Sequence, residues 1–289
     1  MKKIAILGCE NSHANSFLTF MKENEEFSDI EVVGVYSDER EAAQKLNESF
    51  GVPVLEDYAD AVGLIDGLII TARHGANHYK YAKPYIESGI PMFIDKPITV
   101  KEDEAVEFMR ALKAHGVRIS GGSSLKQDSF VSALKDERVG EVGGKTLGGY
   151  VRAPLQSKNA YGDFYFYSQH LVEMVCEIFG RFPLSVTAKQ NGKQIHVLFH
   201  YEDYDCVGLY CDFNNTYYAS RMSEQGASSY LIPPSRDWSY RELKEFCGIL
   251  NGGPSVMSYG EFASPVFIIN AILRSLESGV TEPVGRADI

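Results

Sequence analysis

Apolar and polar positions alternate along the first 120 residues with a regular beat. Short runs rich in β-branched and large apolar side chains fall at Ile4–Leu7, Val32–Tyr36, Leu68–Thr71, Met92–Ile94 and Val117–Ser120. Between them the apolar positions take helical spacing, with Phe17, Leu18, Phe20 and Met21 in one stripe and Ala42, Ala43, Leu46 and Phe50 in another. Thr99 followed by Glu102 resembles a capping box that opens a helix, and Gly116 marks its expected stop. Strands with hardly a polar position, separated by helices, predict a parallel sheet covered on both faces. The expectation is an α/β, Rossmann-like dinucleotide-binding domain over residues 1–120.

Beyond Gly121 the beat changes. A helix is expected around Gln127–Asp136, and Gly140, Gly143, Gly144, Gly148 and Gly149 then interrupt any helical pattern. The stretch Gln194–Ser220 alternates and is rich in Tyr, Phe and Val, as expected of antiparallel strands open on one face. His196, Leu198 and His200 share one side of it, and Val197, Phe199 and Tyr201 the other. A last helix, about Phe262–Ser278, closes before Gly279. Residues 121–289 therefore read as an α+β domain with an open-faced, mostly antiparallel sheet. An open apolar face predicts a homo-oligomer, dimer or tetramer. There is no internal repeat or low-complexity linker, so the two domains are expected to pack closely.

Composition narrows the function more than the fold. The 289 residues suit two domains, and 39 acids against 28 bases leave a net charge of −11. With no basic run, such a surface repels a phosphate backbone, so nucleic acid and anionic membrane are not expected as partners. The apolar stretch after Met1-Lys2-Lys3 ends at Gly8, too short for a secretion signal, and no run is long enough to span a bilayer. Five cysteines without a Cys-x-x-Cys pair read as reduced thiols of a cytoplasmic protein. Cys206 and Cys211, an odd number of positions apart in strand-like sequence, point to opposite faces and are not expected to share a metal.

The first strand runs into Gly8-Cys9-Glu10-Asn11-Ser12-His13 and then a helix. That is where a dinucleotide fold places pyrophosphate, against unpaired N–H groups at a helix start. Of the Gly-x-Gly-x-x-Gly/Ala fingerprint only Gly8 is present. Glu10 replaces the glycine that lets backbone approach phosphate, and His13 replaces the small residue of close helix–strand packing. A carboxylate there repels pyrophosphate unless it turns away or is neutralised. The loop by itself also fits a strand–turn–helix without cofactor. Asp38, after the second strand, suits the adenosine ribose hydroxyls and so NAD, or the N-cap of the next helix; Arg40 nearby leaves NADP open.

The segment Asp66–Val100, DGLIITARHGANHYKYAKPYIESGIPMFIDKPITV, resembles the Gfo/Idh/MocA oxidoreductase family, in which a strand, a His-containing loop, a helix and a strand lead to a Glu-Lys-Pro motif. Here the motif is Asp95-Lys96-Pro97, its acid one carbon shorter. Asp38–Pro53, Gly121–Val142 and Tyr240–Pro283 follow the family pattern too, so the resemblance covers essentially the whole chain, with a shortened second domain. It implies a nicotinamide cofactor contacted by Gly8, Glu10, Asn11, Ser12, His13, Asp38, Thr71, His74, His78, Asp95 and Lys96, with His78 on the nicotinamide side and His74 in a loop. The family's second element is Asp-x-x-x-His on a helix with an acid three residues on. Here His170 and Glu173 match, and Phe166 stands where the aspartate belongs. The resemblance thus implies Lys96 and His170 as catalytic, with Lys96, His170 and Glu173 at the substrate.

The residues support part of this independently. Lys96 ends a parallel strand, on the edge where such sheets bind ligands, and Pro97 keeps it out of the helical region. An ammonium there holds a substrate hydroxyl or relays its proton, and a histidine near its ordinary pKa accepts one. Of the aromatic run Tyr161, Phe164, Tyr165, Phe166 and Tyr167, the tyrosines Tyr161, Tyr165 and Tyr167 are candidates to stack on a sugar ring; core packing is the plainer role of these rings. His74 and His78 lack the companions of a metal signature, so no metal is expected. The function that follows is hydride transfer between NAD(P) and a secondary alcohol or carbonyl of a sugar, polyol or related small metabolite. Two alternatives stay open: a catalytically silent regulatory protein that binds a small molecule or nucleotide, and an isomerase, epimerase or lyase that recycles its cofactor.

Overall fold

A computed structural model describes residues 1–211 and 215–289. Five apolar runs, β1 (Lys2–Leu7), β2 (Ile30–Tyr36), β3 (Gly67–Ile70), β4 (Met92–Asp95) and β5 (Ile119–Gly122), pair into one parallel sheet in the order β2-β1-β3-β4-β5. The order reverses between β1 and β3, which opens a crevice at their C-terminal ends. Helices α1 (Ser12–Glu23) and α2 (Arg40–Phe50) cover one face, with Phe17 and Leu46 in one cluster with Ile4, Ile6 and Ile69. On the other face α3 (Ala76–Ala82) and α4 (Glu102–Ala114) set Tyr81 and Phe108 among Leu7, Ile70 and Ile94.

Three local details differ from the sequence reading. β5 starts at Ile119 instead of Val117, because the Val117 N–H is still bonded to Leu112 of the preceding helix. α4 opens at Glu102 after Lys101 without a capping box; the Thr99 hydroxyl bonds the Glu104 carboxylate instead. Asp38 does not cap α2. That position is Glu39, whose N–H is held by Ser37 Oγ at 3.0 Å.

In the second half, α5 (Ser129–Val139) follows a 3-10 turn at Ser124–Gln127 and is N-capped by Asp128, which accepts from Phe130 N and Val131 N. Then come β6 (Thr146–Pro154), α6 (Phe164–Phe179), β7 (Ser185–Asn191), β8 (Gln194–His200), β9 (Asp205–Cys211), β10 (Tyr217–Ser223), β11 (Gly226–Ile232), α7 (Asp237–Leu250), α8 (Tyr259–Ser278) and β12 (Glu282–Pro283). The strands form a sheet in the order β11-β10-β6-β9-β8-β7-β12, antiparallel except for β6 beside β9. Val197 and Phe199 point inward to Leu171, Val175 and Ile272 of α6 and α8, while His196, Leu198 and His200 turn outward. On that outer side Leu147, Val207, Met222 and Leu231 are exposed.

The two halves share their cores. Leu243, Phe246, Ile249 and Leu250 of α7 join the cluster with α1 and Phe93, and Phe262, Ala263, Val266 and Phe267 of α8 join the one on the opposite face. The parallel sheet is residues 2–122, yet two of its covering helices come from beyond residue 236. This interleaving is what brings α7 over the crevice.

Candidate active site

Gly8 ends β1 with φ at +73°, and a Cβ there would lie 2.4 Å from the Ala72 backbone. Only glycine fits this close approach in the left-handed region. The tight turn lets Asn11 N-cap α1, its side chain accepting from His13 N at 3.4 Å. The Asn11 and Ser12 backbone N–H groups find no acceptor among the described residues. Glu10 turns away from them: its two carboxylate oxygens accept from Arg73 N at 2.8 Å and from the Ser37 hydroxyl at 2.7 Å.

Glu10 stands between two cavities at the strand ends, of about 700 and 490 Å³. The larger is lined by Asn11, Ser12, Arg40, Lys45 and Arg73, and the smaller by Asp38, His74, Asn77 and Tyr161. Asp38 accepts from Tyr36 at 2.8 Å and pairs with Lys80 at 3.2 Å. Burial alone would raise its carboxyl, but the bonds from Tyr36, Tyr81 and Lys80 hold it below the ordinary value. Arg40 is paired with Glu56 at 2.5 Å. A dinucleotide fits this groove: free N–H groups at the start of α1, a carboxylate committed to protein donors, the Arg73 guanidinium, and an acid at the end of β2.

Farther along the edge Asp95 ends β4 fully buried. It accepts from Lys96 N at 2.7 Å and Asn11 Nδ2 at 3.0 Å, and lies 2.9 Å from His13 Nδ1, close enough for an ion pair although not aligned as a hydrogen bond. Glu242 of α7 is 4.0 Å from the same nitrogen, and among the described residues neither of its oxygens has a hydrogen-bond partner. Lys96, whose bond to Pro97 is cis, donates from Nζ to the Phe166 carbonyl at 3.1 Å, with Nζ 4.5 Å from the Phe166 ring centroid and 5.5 Å from that of Tyr167. Burial pushes its ammonium below the ordinary lysine value, against the pull of Asp95 and Glu242.

His170 lies one turn along α6 from Phe166. Its Nδ1 is 2.8 Å from Ser123 Oγ, at the end of β5. Burial, with the charges of Lys96 and His13 next, pushes it well below the ordinary histidine value, so the ring is neutral near pH 7. In the tautomer that gives Nδ1–H to Ser123, Nε2 presents a lone pair. His170, Tyr167 and His13 line a third cavity, of about 380 Å³, together with residues from α7 and β10.

Several residues expected at the site are placed elsewhere. Thr71 and His78 are fully buried: the Thr71 hydroxyl donates to the Gly8 carbonyl, and the His78 ring lies between the Ala72 carbonyl at 2.9 Å and the Ile98 carbonyl at 3.3 Å, so both brace the loops instead of facing a ligand. Asp95 acts in the same way, as the hub under Asn11, His13 and Lys96. Tyr165 turns to α8 and bonds Asn270 at 2.9 Å. Glu173, buried, is paired with Arg181 at 2.7 Å instead of reaching the cavity. Tyr161 bonds Arg73 at 2.6 Å, over the cofactor groove and not over the cavity at His170. Arg73, Ser123, Glu242 and the α7 start at Arg236 carry no motif in the sequence; the position of Arg73, three residues beyond the end of β3, is the one available signal.

Residues 2–123 match the model of an oxidoreductase family with an NAD-binding Rossmann fold. That model is the Gfo/Idh/MocA one, and the match covers the first domain. The chain is 26% identical over 122 residues to the Escherichia coli (strain K12) protein named uncharacterized oxidoreductase YhhX, covering 39% of this chain and 35% of that protein. It is 25% identical over 211 residues to glucose-6-phosphate 3-dehydrogenase of Bacillus subtilis (strain 168), covering 66% of this chain and 58% of that enzyme. The matches thus span less than two thirds of either curated relative. The whole fold is shared with scyllo-inositol dehydrogenase from Lactobacillus casei, solved with NAD(H) and scyllo-inositol, at a TM-score of 0.84 and 15% identity over 98% of this chain and 99% of that one. Among the described residues no helix is long and apolar enough to cross a membrane.

Proposed function

We propose that this protein is an NAD-dependent dehydrogenase or reductase acting on a secondary alcohol or carbonyl of a sugar, polyol or related small metabolite. The observation that carries this reading is the meeting of Lys96 and α6. Lys96 follows the end of β4, and its ammonium is bonded to the first turn of the helix that holds neutral His170 one turn later. Bound nicotinamide supplies a hydride acceptor or donor. Everything else falls to the chain. The first turn of α1 and Arg73 hold the pyrophosphate, Asp38 the ribose hydroxyls, Lys96 exchanges the substrate hydroxyl proton, and His170 accepts a hydrogen bond from that hydroxyl. The pairing of Arg40 with Glu56 favours NAD over NADP.

A second reading rests on one observation. Lys96 is only 5% exposed, covered by Phe166 where the family carries an acid. Unless the first turn of α6 shifts when substrate enters, the chain binds ligands without turnover. Titration with NADH and NADPH, followed by a polyol and sugar panel with Lys96→Ala as control, separates the two. Tighter NADH binding with Lys96-dependent turnover supports the enzyme, and binding without turnover supports the silent protein. No binding of either cofactor removes both nicotinamide readings. The exposed apolar side of the seven-stranded sheet supports a homo-oligomer, and five free thiols support a cytoplasmic location.

A further inference from the structure

The cavity at His170 has a lining that a neutral polyol does not call for. Free hydroxyls of a polyol need acceptors, and carboxylates are the strongest that a protein offers. Among the described residues that line this cavity there is no Asp or Glu, although the chain has 39. Its polar side chains are instead mostly hydroxyls, which donate as well as accept, beside the cations of His13 and Arg236. Ser16, Ser124 and Ser239 face it with hydroxyls that find no partner among the described residues. Arg236 has no ion-pair partner among the described residues and rests over the Phe20 ring at 5.6 Å. It is also the residue before α7, where the Asp237 N–H is taken by Ser235 Oγ at 3.2 Å. From the inner end His13 contributes an imidazolium, which Asp95 and Glu242 sustain from behind. In a chain of net charge −11, a pocket this rich in donors and cations is a local construction that composition alone does not produce.

We propose that the substrate carries an anionic group, a phosphate or a carboxylate, seated at Arg236 and the serine hydroxyls, with its reacting carbinol carbon toward His170 and Lys96. A cavity of about 380 Å³ falls within the range of about 300–1,000 Å³ usual for small-molecule sites. The group is held by charge-assisted hydrogen bonds, and Arg236, at the outer rim, sets which substrates enter. This assignment of substrate class rests on the oxidoreductase reading, whereas the anion subsite stands on the lining alone.

Trp238, the chain's sole tryptophan, lines the same cavity and donates from Nε1 to Asp128 at 2.9 Å, so it reports occupancy without turnover. Inorganic phosphate titrated into the full-length protein is expected to change its fluorescence saturably. Arg236→Gln should weaken that response at least tenfold, Arg236→Lys should restore most of it, and NADH binding should stay the same in both. With NAD saturating, phosphorylated and carboxylated polyols are then compared with their neutral parents. A preference of tenfold or more in kcat/KM for one anionic class, lost in Arg236→Gln through KM with kcat kept, supports the proposal and tells phosphate from carboxylate. A silent phosphate titration, or neutral parents turned over equally well by wild type and Arg236→Gln, overturns it and leaves the oxidoreductase reading intact. Failure of wild type to bind NADH strikes that reading and not the phosphate result.

Discussion

His13 and Glu242 are a pair whose protons belong to the fold. Burial works against the His13 imidazolium, but Asp95 and Glu242 outweigh it and raise its pKa to about 9. Burial raises the Glu242 carboxyl to about 8, against the pull of His13. The folded chain therefore keeps protons that the unfolded chain has released, so stability falls as pH rises. The His13 share is complete below about pH 6.5 and gone above about 9, and the Glu242 share fades from about 4.5 to 8. Urea midpoints should drop steadily between pH 6 and 9, and Glu242→Gln should flatten part of the drop; a midpoint independent of pH contradicts the pairing. At Lys96, truncation to alanine should lower kcat about 10²–10⁴-fold, the range for a lost proton-transfer group, with NADH affinity kept. Steady-state kinetics beside cofactor titration reads both. At this scale the turn at Gly8 and the places of Lys96 at a strand end and His170 on a helix were legible, because a motif and a turn mark them. The behaviour of Glu10 was not, since its partners Ser37 and Arg73 lie 27 and 63 residues away.

Helix starts tie elements of the second half together. Asp128 caps α5 through Phe130 N and Val131 N and also takes the Trp238 indole N–H from α7. Asp128→Ala removes a cap worth about 1 kcal/mol and orphans a buried donor at about 1–3 kcal/mol. The sum, about 2–4 kcal/mol, should appear in the urea midpoint, with a shift in Trp238 emission even in the folded protein. The β1–α1 turn is less forgiving. Gly8→Ala adds a methyl against Ala72 and places a side chain in left-handed backbone, a cost of about 1–3 kcal/mol from the conformation alone. It should lower both the melting temperature and NADH affinity. The elements themselves were largely legible from periodicity. The errors fell at boundaries: β5 came late and Thr99 chose Glu104, because hydrogen bonds that decide an end depend on neighbours outside the local window.

For the whole molecule the shared cores matter most. A fragment of residues 1–123 lacks α7 and α8, and would expose Phe93, Ile69 and Met109 where Phe246, Leu243 and Phe262 now lie. Uncovering several large apolar side chains, each worth about 1.5–3 kcal/mol when buried, is comparable to the stability of a domain. The fragment should bind a hydrophobic dye and melt without a cooperative transition. A sharp two-state melt equal to that of the full chain would show that α7 and α8 are dispensable to it. The same interleaving carries Glu242 and Arg236 to the catalytic edge.

By itself the sequence determined the alternation that makes the parallel sheet, the open-faced second sheet, the glycine of the β1–α1 turn, and the lysine and histidine of the proposed reaction. These follow from local periodicity, from backbone conformations that one residue type adopts, and from a motif in contiguous residues. Tertiary structure decided the rest. It turned Glu10 to Ser37 and Arg73, buried Thr71, His78 and Asp95 as braces, sent Tyr165 and Glu173 to other partners, and swung α7 over the crevice. Each of these depends on contacts between residues far apart in the chain, and periodicity has no term for which distant side chain satisfies a buried charge.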